Sequence, residues 1–352
     1  MTGPINLVGR TSAEIAELIA PHGDRPFRGR QVARWLIERN AAQFAEMTDL
    51  PAALRDALAA RFTIAEPQPV EVVPSSDGSR KYLLRLSDGA TVECVAMREG
   101  AKATLCLSSQ AGCAVGCTFC VTGALGAGRN LAAHEIVGQY RYLVRELEND
   151  VERVNVVFMG MGEPLLNTAE LGRTLDVLFE RVSPKRITVS TAGILPGISW
   201  LAGLDRRPKL AVSLNAPDQE RRQTIMPIAR RYPLADLMAA LRAFPLERGR
   251  RITFEYVLIR DFNDDVGDAG AVARLIRGIP AKLNVIPLNE DREHFPTLRR
   301  PETEVVERFA LALRDTGLTV TVRWSRGADV AAACGQLRGR GGPSIGVAQG
   351  VR

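Results

Sequence analysis

Cys113, Cys117 and Cys120 stand in a Cys-x3-Cys-x2-Cys spacing within Gln110-Ala-Gly-Cys-Ala-Val-Gly-Cys-Thr-Phe-Cys-Val-Thr-Gly123. Three thiolates on one short loop can grip one face of a metal cluster, and Gly112 and Gly116 let the backbone curl around it. A 4Fe-4S cluster held by three cysteines keeps one iron open to a non-protein ligand, and an open iron implies chemistry there. Zinc is the competing reading. A structural zinc site wants four closed ligands and would have to recruit Cys106, Cys94, Cys334 or His134. Packing of free thiols is the third reading, and this spacing on a glycine-rich loop makes it the weaker one.

Gly160-Met-Gly-Glu-Pro164 forms a second constellation, directly after the apolar run Asn155–Met159. Alone, Gly-Glu-Pro is an ordinary turn; at the carboxyl end of a strand it lies where barrel enzymes place ligands. Two cysteines lie outside the cluster loop. Cys106 precedes it, and Cys334 sits between Ala333 and Gly335, after Arg323 and Arg326. Each reads as a buried small residue or as a reactive thiol. At Cys334 the small neighbours leave steric room, and the two arginines favour thiolate, so a substrate is expected to reach it.

These residues need elements to position them. Residues 11–62 read as helices, with Ser12 as a cap, Ile15, Leu18 and Ile19 on one face, and Val32, Trp35 and Leu36 at helical spacing. Short β-rich runs follow at Val70–Val72, Lys81–Leu86, Ala90–Met97 and Ala103–Leu107, and Asp77-Gly78 and Asp88-Gly89 mark hairpins. From about residue 130 strands alternate with helices. The strands are expected at Asn155–Met159, Arg186–Ser190, Leu210–Leu214, Ile252–Leu258, Lys282–Ile286 and Leu318–Val322. The helices are expected near 131–148, 168–182, 234–243, 265–278 and 302–316. Strands separated by helices imply a parallel sheet, and six or more repeats imply a full or partial α/β barrel. The expected division is a helical module at 1–65, a β-hairpin extension at 66–105, a barrel core at 106–338 and a flexible tail at 339–352.

Composition sets the outer bounds. The chain of 352 residues carries 46 Lys plus Arg against 40 Asp plus Glu, a surplus of six, and Arg supplies nearly all the basic charge. Such a surplus is weak support for a polyanionic partner; local clusters carry more, and arginines gather at Arg25–Arg39, Arg221–Arg231 and Arg323–Arg340. No apolar run is long enough to span a bilayer, and the first ten residues lack a signal peptide's layout, so a soluble cytoplasmic protein is expected with no membrane partner. Six cysteines are too few for a disulfide scaffold.

The cysteine spacing, the aromatic residue before the last cysteine and the Gly-Glu-Pro segment together resemble the radical S-adenosylmethionine (SAM) superfamily. Met159-Gly-Met-Gly-Glu-Pro-Leu-Leu-Asn167, Val189-Ser-Thr-Ala-Gly193, Ile286-Pro-Leu-Asn289, Ala333-Cys-Gly-Gln-Leu337 and the offset of Cys106 narrow the resemblance to the RlmN family, over about residues 10–338. The resemblance implies a radical SAM partial (β/α) barrel that methylates carbon 2 of adenosine in 23S ribosomal RNA and in certain transfer RNAs. It implies a 4Fe-4S cluster on Cys113, Cys117 and Cys120 and two SAM molecules per turnover. Cys334 would accept a methyl group from the first, and a radical derived from the second would activate that S-methyl group for addition to adenine. Cys106 would then resolve the adduct, leaving a transient Cys106–Cys334 disulfide. Glu93 matches the family's proton acceptor, although as a residue it reads equally as an exposed strand carboxylate. Gly162, Glu163, Ser190, Ser213, Leu214, Asn215 and Asn289 match SAM contacts. Asn215 departs from the family's usual His; it can hydrogen-bond but cannot titrate near neutrality. Pro26-Phe-Arg-Gly-Arg-Gln31 resembles the family's RNA-contacting module. A reductant such as flavodoxin, a thiol reductant for the disulfide and a monomeric state are further expectations, and Cys94 is left to packing. The alternatives are a carbon-8 adenine methyltransferase of the same superfamily and a non-catalytic zinc-clip RNA-binding protein.

Overall fold

The protein is described by a computed structural model covering residues 4–23, 25–147 and 151–339, so the expected tail lies, past Gly339, outside the described residues. Helices α1 (Ser12–Ile19), α2 (Arg28–Ile37) and α3 (Ala52–Ala59) form the N-terminal module. The cap of α1 is Thr11 rather than Ser12: Thr11 and Glu14 exchange bonds in a capping box, while the Ser12 hydroxyl donates to Glu180. Ile15, Ile19, Val32, Leu36 and Leu58 bury into a small core of their own. Arg141 fastens the module to the rest of the chain: it pairs with Glu66 and donates to the carbonyls of Leu36 and Ala41. Being nearly buried, that pair depends on these extra hydrogen bonds to offset its desolvation.

One ten-stranded sheet organises the remainder. Its strands are β1 (Gln68–Pro74), β2 (Arg80–Arg85), β3 (Thr91–Glu99), β4 (Lys102–Cys106), β5 (Arg153–Phe158), β6 (Ile187–Thr191), β7 (Lys209–Ser213), β8 (Ile252–Leu258), β9 (Ala281–Pro287) and β10 (Val320–Val322), each beside its neighbour in sequence. β1 to β4 are antiparallel, as the two Asp-Gly turns predict. β4 then pairs in parallel with β5, so the hairpins continue into a seven-stranded parallel half, β4 to β10. The result is a partial α/β barrel.

The crossovers carry α4 (Ala133–Glu146), α5 (Thr168–Leu178), α6 (Leu195–Ala202), α7 (Gln219–Ile225), α8 (Leu234–Ala243), α9 (Val266–Ile276) and α10 (Thr303–Arg314). α6 and α7 were not expected, because Pro196 and Gly197 blur the period of one and four polar residues open the other. Phe158, Val189, Val212, Phe254, Tyr256 and Val285 pack with helix residues in the main core. The alternate positions, Ser190, Ser213, Glu255 and Asn284, take the opposite, inner face. No described helix is long and apolar enough to cross a membrane.

Candidate active site

Five of the seven parallel strands deliver a candidate site residue at or just past the carboxyl end. Cys106 closes β4, Glu163 follows β5, Ser190 lies near the end of β6, Ser213 closes β7, and Asn289 follows β9. The cluster loop leaves β4 at Leu107 and is fixed largely by main-chain bonds. Cys113 N–H donates to Gly126 O (2.9 Å), Thr118 N–H to Ile225 O (3.0 Å) and Cys120 N–H to Cys117 O (3.2 Å). Gly112 and Gly116 have φ of 115° and 67°, the left-handed conformations the curl requires. Burial, chiefly, and the neighbouring thiols raise Cys113 and Cys117 above the ordinary thiol range, and burial raises Cys120. A ligand cation or metal would reverse this.

The Gly-Glu-Pro segment is laced to the start of that loop. Ser109 and Gln110 N–H both donate to Met161 O, and Gln110 Oε1 accepts Glu163 N–H at 2.8 Å. Gly162 has φ of 98°, and a Cβ there would stand 2.5 Å from Gln110 Cβ, so no other residue fits without displacing the loop. The Glu163 carboxylate accepts Leu165 N–H (3.0 Å) and Ala192 N–H (2.6 Å). Burial nevertheless dominates and pushes its pKa up to about 7. A cation beside it would pull it back down.

Cys334 lies in a strap that follows β10 and crosses the barrel mouth. Five residues from four parts of the chain hold the strap. Asn289 Nδ2 donates to Cys334 O (3.0 Å), Val121 N–H to Gly335 O (2.7 Å), Thr122 Oγ1 to Leu337 O (2.5 Å), Lys81 Nζ to Ala331 O (3.3 Å), and Glu93 Oε2 accepts Arg338 N–H (2.8 Å). Cys334 is exposed on the strap, as expected of a thiol a substrate must reach, although the protein around it still raises its pKa. The expectation that the two arginines favour its thiolate holds for Arg323 alone, and burial outweighs that pull. Burial and the Glu255 carboxylate raise the thiol's pKa against the pull of Arg323, while Arg326 is turned to the carbonyl of Arg98. Cys106 is buried, and the charge of Cys334 adds to burial in raising its pKa, so the two thiols lie within electrostatic reach of each other. Glu93 shares their face of the sheet, since Val95 pairs with Cys106 in register. It is a buried carboxylate bonded to Lys81 Nζ at 3.2 Å, not an exposed one. Cys94, on the opposite face, is core.

Two expected SAM contacts are not turned to the mouth. Leu214 is fully buried, and its N–H donates to Glu255 O while its carbonyl accepts Arg222 Nε. Asn215, at φ 57°, spends Oδ1 on Val257 N–H (2.9 Å) and Nδ2 on Met226 Sδ (3.3 Å). Asn215 therefore holds the bend after β7, a task an amide performs without titrating. Ser190 and Ser213 are half-buried on the inner face. Lys81, Arg222 and Glu255 escaped the sequence reading: the first sits in a strand, the second in an unexpected helix, and the third looks like any strand carboxylate. A signal for α7 existed, because Asp218 caps it through Arg221 N–H (2.8 Å) and Arg222 and Ile225 are three apart.

The donor set fits an iron–sulfur cluster better than a zinc ion. A single tetrahedral structural zinc wants four closed ligands. Among the described residues, no fourth cysteine or histidine joins Cys113, Cys117 and Cys120 in a compact ligand group. A multi-iron group suits three soft thiolates.

Comparison with known proteins agrees. Residues 107–269 match the Radical SAM superfamily, and residues 5–64 match the ribosomal RNA large subunit methyltransferase N-terminal domain. The dual-specificity RNA methyltransferase RlmN of Anaeromyxobacter dehalogenans is 48% identical over 341 residues, covering 94% of this chain and 90% of that protein. The chain belongs to the RlmN family. Another member, from Geobacter sulfurreducens, is 45% identical over 342 residues, covering 96% of this chain and 92% of its own. Among solved structures, a radical SAM methyltransferase from Sphaerobacter thermophilus superposes with a TM-score of 0.89 at 42% identity, covering 95% of this chain and 99% of that one. Membership of the family implies a 4Fe-4S cluster and the use of SAM.

Proposed function

We propose that this radical SAM enzyme methylates carbon 2 of adenosine in 23S ribosomal RNA and in certain transfer RNAs, as a cytoplasmic monomer consuming two SAM per methyl group. Cys334 lies against the cluster loop, where its neighbour Gly335 accepts Val121 N–H at 2.7 Å next to Cys120, and its charge bears on Cys106; this juxtaposition supports the reading. The roles divide by position. Cys113, Cys117 and Cys120 hold the cluster, which when bound supplies the electron that splits SAM. Glu163 takes the SAM ammonium, and Gly162 permits the backbone to approach it. Ser190, Ser213 and Asn289 line the cofactor's other side, with Leu214 and Asn215 shaping the bend between them. Cys334 carries the methyl group to adenine, Glu93 accepts the displaced carbon-2 proton from beside Lys81, and Cys106 attacks Cys334 to free the product. The Cys106–Cys334 disulfide then requires a thiol reductant, and the cluster requires a low-potential donor such as flavodoxin.

RNA would approach over the barrel mouth and the N-terminal module at 1–65. There Arg28 lies over the Phe27 ring at 5.0 Å and Arg39 over Trp35 at 4.2 Å. On the strap side Trp324 is 47% exposed with Arg300 over its ring at 5.6 Å, a platform suited to an unstacked base. Trp324 adjoins Ser325, whose hydroxyl donates to Asn289, the residue that holds Cys334. Mass spectrometry of ribosomal and transfer RNA from a deletion strain tests the reading. Loss of 2-methyladenosine from both is expected; loss of 8-methyladenosine alone, or no loss, overturns it.

A further inference from the structure

Arg222 is fully buried, and no carboxylate among the described residues pairs with it. Its Nε donates to Leu214 O (3.1 Å) and its Nη2 to Ala192 O (2.6 Å) and Ser213 O (3.1 Å), but Nη1 has no partner. A guanidinium taken out of water with one N–H group orphaned is unfavourable unless an anion completes it. Cys117 is the titratable group whose charge, once it is a thiolate, would bear on this guanidinium. α7, which carries Arg222, is pinned to the cluster loop by the Thr118 N–H to Ile225 O bond, and Ile225 and Met226 pack with Val115, Cys113 and Cys117.

We propose that Arg222 is the fixed counter-charge of the cluster on its Cys117 side, a positioning residue that raises the cluster's reduction potential. The inference rests on the reading that Cys113, Cys117 and Cys120 hold a 4Fe-4S cluster. Reduction adds a negative charge to a group already bound by three thiolates, and a cation held close to it in a site with little water favours that reduced state. Arginine suits the task because its charge survives burial, and because the carbonyls of Leu214, Ala192 and Ser213 orient the fork. The bonds to Leu214 O and Ser213 O connect the counter-charge to the bend that presents Ser213, so cluster and cofactor wall share one anchor.

The test is an anaerobic redox titration of the full-length, cluster-loaded protein, followed by electron paramagnetic resonance. Arg222→Gln is expected to lower the midpoint by at least the tenfold equivalent of a one-electron couple, about 59 mV. Arg222→Lys keeps the charge and is expected to stay nearer the parent. Arg222→Gln with full iron content and an unmoved midpoint overturns the proposal, since a purely structural role would not touch the potential. Should Arg222→Gln fail to load iron, the parent protein labelled with 15N-arginine decides by pulsed resonance. A 15N coupling to the reduced cluster is expected, and its absence overturns the inference. A parent protein that takes up no 4Fe-4S cluster overturns the cluster reading, and this inference with it.

Discussion

The cluster loop and the strap that bears Cys334 meet at the Val121 N–H to Gly335 O bond but are built by different means. The loop, between Leu107 and Gly123, is set by main-chain bonds, by glycines in left-handed conformations and by buried Val115 and Val121. The strap beyond Val322 contains one short turn of 3-10 helix, Ala328–Val330, and is held mostly by single bonds from Asn289, Thr122, Lys81, Glu93 and Val121. The contrast matches the proposed tasks. Electron delivery needs ligands that stay where they are, whereas a thiol that takes methyl from SAM, meets adenine and then bonds Cys106 must serve three partners. Bonds made one at a time by side chains can be released one at a time.

Separating the two regions chemically gives the largest expected effect. Cys117→Ala removes a cluster ligand, so anaerobically purified protein is expected to lose its iron and sulfide and all RNA methylation. Cys334→Ala is expected to lose methylation as completely while keeping the iron. Iron and sulfide analysis checks both, and iron loss in Cys334→Ala would show that the strap is part of the cluster's support.

Glu93 sharpens the contrast from the strap side. Its carboxylate joins Lys81 to the Arg338 N–H, all nearly buried. Glu93→Ala leaves the Lys81 ammonium buried without its partner, at a cost of about 3 to 5 kcal/mol. Denaturant unfolding should show that loss, and hydrogen exchange should quicken across 327–338 while 107–123 stays protected. Equal quickening in both would erase the distinction.

The same distinction decides what could be read from the sequence. The loop was legible because its chemistry and its backbone needs are local: three cysteines, two glycines and a strand before them fix most of it. The parallel strands were legible through period and spacing, and β8 and α8 fall where the pattern put them. The strap's anchors were not legible, because Lys81 and Ala331, or Glu93 and Arg338, meet only after the sheet brings residues some 250 apart together. Arg222 was hidden for a related reason, since in sequence it is one arginine among Arg221, Arg230 and Arg231 and only burial singles it out. Resemblance supplied the roles of Cys106, Cys334 and Glu93; spacing alone left them open.

Glu163 tests the loop side through pH. Burial holds its carboxyl at about 7, so below that value the folded protein keeps a proton that the SAM ammonium must displace. SAM affinity, measured by calorimetry, is expected to fall about tenfold for each pH unit below 7 and to level off above it. The sign for stability without SAM is the reverse. A carboxyl raised from 4.5 to about 7 contributes stability in full below the lower value and loses it as pH rises through the upper one, about 3 kcal/mol in all. A SAM affinity that does not vary between pH 5.5 and 8 would detach Glu163 from the ammonium.

Trp324 gives the smallest of these effects and the finest probe of the strap. Stacking of one base on an aromatic ring is worth about 1 to 3 kcal/mol, so Trp324→Ala should weaken RNA binding by roughly tenfold and Trp324→Phe should restore most of it. The ring carries no charge. The slope of log affinity against log salt should therefore be unchanged in Trp324→Ala, whereas Arg300→Ala, if it contacts phosphate, should reduce that slope by about one. In the proposed sequence of steps Cys334 takes its methyl group from SAM before RNA is engaged, which separates the two uses of the strap. If Trp324→Ala lost methyl acceptance in step with RNA affinity, the ring would be holding Cys334 in place through Ser325 and Asn289, and the strap would be a single unit, with no separate base platform.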